Sequence, residues 1–155
     1  MLSLLYTILF FYRIFSNGFS SPVMNIQNLQ HQKIVQHCVN VFKEMGIGHS
    51  ERVYHNALLI ELQQAKIPFR SEVICPYFYK GIVTGYGTAD VVLYDTVLEL
   101  KAQAYKPDHG LQVKKYIHSL QLNEKKKYSG MVINFNQKTG DVDHVHFCFN
   151  RSKLT

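Results

Sequence analysis

Between Gly81 and Gln103 the chain passes through two strand-like runs, GIVTGYGTADVVLY and TVLELKAQ, parted only by Asp95-Thr96. So short a connection joins neighbouring antiparallel strands, because a parallel crossover needs a dozen or more residues. Side chains alternate along a strand, which fixes what each face carries. In 96–103, Leu98, Leu100 and Ala102 turn to one side, the core, while Val97, Glu99, Lys101 and Gln103 turn to the other. In the run before it, Ala89, Val91 and Leu93 are expected on the core face and Asp90 on the opposite face with Thr88 and Val92. Asp90 and Glu99 then stand on adjacent strands, on one face. Two acids and a lysine inside apolar strands cost desolvation energy unless paired or bound to a metal. The residues alone leave two readings open: a Glu99–Lys101 ion pair on a solvated sheet face, or a site of chemistry.

The flanking segments complete an α/β domain. Ile34, Cys38, Val41, Phe42 and Met45 fall at helical spacing before a stop at Gly46 and Gly48. Ser50 is placed to cap a second helix, SERVYHNALLIELQQA, with Glu51 in its first turn, where the helix dipole favours a carboxylate. Val53, Tyr54, Ala57, Leu58, Ile60 and Leu62 give that helix a wide apolar surface, and Pro68 ends it. Residues 71–79 read as a strand that Pro76 makes an edge strand or bulged. A helix over 108–123 follows Pro107, with Leu111, Tyr116, Ile117 and Leu120 as its stripe. Strands 128–135 and 142–149, joined at Thr139-Gly140-Asp141, close the chain. The order is α, α, β, β, β, α, β, β.

Composition narrows the class. With 155 residues, 46% hydrophobic and 18% charged, the chain has material for one core and lacks the signature of disorder. Cys38, Cys75 and Cys148 are odd in number and far apart, without a CxxC pair. That argues against a disulfide scaffold, leaves no CxxC pair for a structural zinc site, and suits a reducing compartment, cytoplasmic or nuclear. Residues 2–12, LSLLYTILFFY, form an apolar run too short to span a membrane and without the positive flank of a signal peptide. Three readings of residues 1–23 stay open: an appendage upstream of a start at Met24, a signal or anchor, or a packed segment. Residues 24–155 are taken as one domain. No GxSxG, phosphate-binding loop or dinucleotide-binding glycine pattern occurs, so serine-hydrolase, kinase and dehydrogenase chemistry find no support.

The acid on one strand and Glu-x-Lys on the next, Asp90…Glu99-Leu100-Lys101, resemble the signature of the PD-(D/E)XK nuclease superfamily. Gly48-His49-Ser50-Glu51-Arg52-Val53-Tyr54 is similar to the motif that names its GxxExxF branch, with Tyr as the final aromatic. Gln112-Val113-Lys114-Lys115-Tyr116 resembles the QxxxY helix motif of several such nucleases. Tyr79-Lys80-Gly81 and Ile133-Asn134-Phe135 also look like that branch, and the likeness spans about residues 30–149. Ala89 stands where Pro is usual, and Gly85-Tyr86-Gly87-Thr88 is richer in glycine than the pattern.

The resemblance implies a restriction-endonuclease-like, three-layer core, a central mixed sheet flanked by helices. It implies Mg²⁺ or Mn²⁺ held by Asp90 and Glu99, with the Leu100 carbonyl and Glu51 as further oxygen donors. Lys101 would stand beside the attacking water or the scissile phosphate. Gln112 and Tyr116, four apart on one helical face, would orient the water, the lysine or a phosphate, and Tyr116 as plain core packing remains the alternative. The implied partner is nucleic acid, DNA above RNA, and the implied reaction is phosphodiester hydrolysis. A homodimer or a partner protein could complete a groove that so small a domain lacks.

The charge gives separate support. The chain carries a formal +6. Six lysines between Lys106 and Lys127 stand against Asp108 and Glu124, and Lys114, Lys115, Lys125, Lys126 and Lys127 flank the Gln112/Tyr116 helix. Such lysines contact phosphates without reading sequence, or simply make a solvated face. His144 and His146 share a strand face, a weaker metal pair without an acid at ligand spacing. A nuclease-fold binding module without turnover and a structural or partner-binding domain are the competing functions.

Overall fold

The computed structural model describes residues 26–103 and 106–148. The apolar segment 1–23 lies outside the described residues, as does the chain beyond 148. The elements follow the expected order: α1 (Ile26–Met45), α2 (Glu51–Gln64), β1 (Arg70–Tyr79), β2 (Ile82–Leu93), β3 (Thr96–Lys101), α3 (Pro107–Glu124), β4 (Ser129–Phe135) and β5 (Val142–Cys148). One five-stranded sheet has the order β1-β2-β3-β4-β5. Every neighbouring pair is antiparallel except β3 and β4, which run parallel from Thr96 opposite Ser129 to Lys101 opposite Asn134. A parallel pair needs a crossover, and α3 supplies it.

Helices cover both faces. Ile34, Cys38, Val41 and Phe42 of α1 and Tyr54, Leu58 and Leu62 of α2 pack on Val91, Leu93, Leu98, Leu100, Met131, Ile133 and Phe135. Val113, Tyr116, Ile117 and Leu120 of α3 pack on Cys75, Ala89, Val92, Val97 and Val132. This is the mixed, helix-flanked sheet of a restriction-endonuclease-like α/β fold. All six residues of β3 are buried, so neither of its faces is solvated. The solvated Glu99–Lys101 pair is thereby overturned: a strand between α1/α2 and α3 has no wet side.

Three sequence expectations need correction. Ala89 does not share the face of Val91 and Leu93; it joins Val92 and Val97 under α3. The alternation breaks at Asp90, which has no ladder partner in β1, and the residue across from it, Glu72, has φ +50. Val53 and Ile60, counted on the apolar surface of α2, are exposed, and His55 is buried instead. Leu111 is exposed, and Val113 takes its place in the stripe of α3.

The Gly48–Tyr54 motif has a structural part. Tyr54 is fully buried, stacks on Phe135 with centroids 4.6 Å apart, and donates from its hydroxyl to the Gly46 carbonyl at 2.7 Å. Gly48 has φ +97, a conformation that favours glycine, and its N–H donates to Gln137 Oε1 at 2.7 Å. The motif's two ends thus fix the turn from which α2 starts, and with it the position of Glu51.

Candidate nuclease centre

The site begins where two strands part. β2 and β3 are paired only from Leu93–Thr96 to Val91–Leu98. Beyond that point Asp90 Oδ2 accepts the Leu100 N–H at 2.7 Å, so a side chain takes the place of the ladder. A strand residue's N–H and C=O point the same way, so the Leu100 carbonyl faces the same gap. Burial raises the Asp90 carboxyl, and the Leu100 N–H and Lys101 pull it back down only in part.

Glu99 and Lys101 project from the same strand. Lys101 Nζ donates to Glu99 Oε1 at 2.7 Å and to Glu51 Oε1 at 3.3 Å. Glu99 is 2% exposed, and its Oε2 is buried without a hydrogen-bond partner. Asn134, opposite Lys101 on β4, leaves Oδ1 in the same condition. Burial first and the Asp90 charge second push the Glu99 carboxyl up to about 7, against the opposing pull of Lys101. Burial lowers the Lys101 ammonium, but its bond to Glu99 and the charges of Glu99, Glu51 and Asp90 leave it raised overall. The centre therefore holds more negative charge than one lysine neutralises.

Helix α3 packs on the sheet face that carries Val97, two residues before Glu99. Gln112 Nε2 donates to the Tyr116 hydroxyl at 2.7 Å, and Tyr116 is buried. Burial raises the Tyr116 hydroxyl, and the Glu99 and Asp90 carboxylates also act on it. Tyr116 is thus core packing and a neighbour of the acids at once.

Two histidines escaped the sequence reading. His55, buried on α2, donates from Nε2 to the Asp90 carbonyl at 3.2 Å and holds the backbone of the parting strand. His109, buried in the first turn of α3, accepts the Lys106 N–H on Nδ1 at 3.2 Å. Its pKa is lowered by burial and by Lys101 and Lys106. Their spacing from Glu51 (four residues) and from Gln112 (three residues), one helical turn in each case, was the available signal. A cleft of about 140 Å³ opens between Glu51, Arg52, His55, Glu72 and Asp90.

The lysines divide into two groups. Lys114 Nζ lies 5.5 Å from the centroid of the Phe147 ring, and Lys115 is exposed on the same helix. Lys126 pairs with Asp95 at 2.5 Å, which places Lys125–Lys127 by the β2–β3 turn. That turn is at the far end of β3 from Lys101, about 17 Å along the strand at ~3.3 Å per residue. These three lysines are not brought to the acids. His144 and His146 lie with His31 of α1 on the opposite side of the sheet, ring centroids 5.1 and 4.4 Å apart in sequence.

Among the described residues no three His, Cys, Asp or Glu side chains converge closely enough to hold a metal ion. The chemistry of the donors nonetheless fits a hard divalent cation: oxygen atoms only, an excess of negative charge, and an acceptor on Glu99 with no partner. Among the same residues no helix is long and apolar enough to cross a membrane.

No curated protein and no solved structure matches the chain. The family model of the PD-(D/E)XK nuclease superfamily matches residues 28–145, a span that contains every acid, lysine and tyrosine of the centre. The chain belongs to the PD-(D/E)XK nuclease superfamily, a superfamily of phosphodiester hydrolases that typically use a divalent metal.

Proposed function

We propose that the protein is a metal-dependent nuclease that hydrolyses phosphodiester bonds in DNA, with Glu51, Asp90, Glu99 and Lys101 as its centre. The observation that carries this reading is the buried Glu99, whose free Oε2 and raised carboxyl leave it short of positive charge. Burying such a group is costly and is retained where function requires it. The GxxExxF branch is the member group its motifs support best, since Gly48 and Tyr54 set Glu51 at the start of α2.

Asp90, Glu99, the Leu100 carbonyl and Glu51 would hold Mg²⁺ or Mn²⁺, which would supply a bound water of lowered pKa and polarise the phosphodiester. Lys101 then has two tasks. Bonded to Glu99 and Glu51, it holds both carboxylates in place, and its ammonium stabilises charge that develops on the phosphoryl oxygens. The Tyr116 hydroxyl, which accepts from Gln112, would orient the reacting groups. His55 keeps Asp90 turned into the gap through its carbonyl. Lys114 and Lys115 are placed to meet phosphates along α3, whereas Lys125–Lys127 would meet only a longer polymer that reaches the other end of β3.

Circular DNA, single-stranded and double-stranded, incubated with the protein and Mg²⁺ or Mn²⁺ tests the reading. Cutting that stops with chelator and in Asp90→Asn supports it. DNA binding without products in either metal transfers the assignment to a binding module.

A further inference from the structure

The two-stranded ribbon formed by β1 and β2 outruns the sheet. β3 pairs with β2 only at Val91–Leu93, so residues 73–89 pair with each other alone. Their turn, Lys80-Gly81, has both residues at positive φ, the tight two-residue hairpin type. One face of the ribbon is braced: Cys75 and Tyr77 pack toward α3, and Ser119 Oγ donates to the Pro76 carbonyl at 2.6 Å. Among the described residues the other face has no cover. Ile74, opposite Thr88, is 64% exposed, and Tyr86, opposite Pro76, is 69% exposed. Tyr79 and Ile82 continue the exposed surface to the tip.

We propose that this face is a platform on which unpaired bases of single-stranded DNA stack as the strand runs into the Asp90–Glu99 centre. The inference rests on the nuclease reading and names its substrate class. Three observations favour that occupant. The face is continuous with the centre, since Glu72 and Asp90 line the acidic cleft one step along the ribbon from Ile74 and Thr88. Tyr86 is four residues from Asp90, about 13 Å at ~3.3 Å per residue. Second, residues 73–89 contain no acid and a single cation, Lys80, in a chain of net charge +6, so a polyanion meets no repulsion on the ribbon itself. Third, one lysine cannot grip a duplex backbone, whereas exposed aromatics on a rigid support suit base stacking. A second copy pairing along the β1 edge is disfavoured because Pro76 has no N–H to offer an incoming strand.

The test uses the full chain with chelator present, so that nothing is cut. Binding of a fluorescent single-stranded oligodeoxynucleotide, its duplex and the RNA of the same sequence is read by anisotropy for wild type, Tyr86→Ala and Tyr86→Phe. The expected result is a single-strand Kd raised at least about fivefold by Tyr86→Ala, as one base stack implies. Tyr86→Phe should stay within about twofold, and duplex should bind more weakly without responding to Tyr86→Ala. Tyr86 is exposed, so melting temperatures should match and a folding defect is distinguishable. Unchanged single-strand binding in Tyr86→Ala, equal loss on duplex, or tighter RNA binding would overturn the platform. So would a wild-type dimer that Tyr86→Ala converts to monomer in sedimentation. Cutting that depends on Glu99, with binding indifferent to Tyr86, sinks the platform alone. Tyr86-dependent binding without any cutting sinks the nuclease reading alone.

Discussion

At Glu99, burial and charge pull against each other. Its carboxyl titrates near 7 in the folded protein, against an ordinary value of 4.5. The folded state therefore binds this proton more tightly than the unfolded state does. That contribution to stability is complete below pH 4.5 and is lost as pH rises through 7. In metal-free solution, Glu99→Gln should gain on wild type as pH rises from 5 to 8, read as a widening difference in melting temperature. A difference that does not change with pH would contradict the buried, under-neutralised carboxylate. The sequence revealed Asp90, Glu99 and Lys101 because charges inside apolar strands stand out. It could not reveal His55 or His109, since a histidine on an amphipathic helix carries no sign of what it faces. The direction of Asp90 was also hidden. Period-two alternation assumes an unbroken ladder, and the distortion at Glu72 and Asp90 breaks it.

Among the elements, the α3 crossover packs tightly against the sheet. A Cβ built on Gly130 would overlap Val113 Cγ1 and stand 2.6 Å from Ile117 Cδ1, so the helix rests on bare β4 backbone. Gly130→Ala should destabilise the fold by about 1–3 kcal/mol, the usual cost of overpacking, in denaturant unfolding. A neutral substitution would mean that α3 stands off the sheet. The contact between α1 and β5 has a different weakness. Burial and neighbouring imidazoles hold His31 and His146 below their ordinary 6.5, and among the described residues no acid lines the cavity of about 610 Å³ they share with His144. Here the unfolded state binds protons more readily, so stability present above pH 6.5 is lost as pH falls through the lowered values. His146→Asn should flatten the acid side of the melting-temperature profile relative to wild type; an unchanged acid limb would refute the coupling. Element order and type were legible from period and punctuation, because β3 and α3 have strong apolar patterns. The burial of both faces of β3 was not, since Glu-x-Lys in a strand reads as a wet face until α3 is known to cover it.

For the molecule as a whole, the sheet order puts the chemistry at one end and much of the basic charge at the other. Lys126 is held by Asp95 at the start of β3, while Asp90, Glu99 and Lys101 gather at its end. Proximity in sequence suggested that Lys125–Lys127 belong with the Gln112/Tyr116 helix. Tyr116 stands nine residues before Lys125, about 14 Å along the helix at ~1.5 Å per residue, which separates what the sequence shows as neighbours. The family is visible in both sequence and fold. The most direct test is DNA cleavage by wild type and Glu99→Gln side by side, with and without Mg²⁺ or Mn²⁺, at matched folded fraction. Metal-dependent cutting by wild type, reduced at least about a hundredfold in Glu99→Gln, is the expected result. Equal cutting by the two proteins would show that Glu99 is not part of the centre.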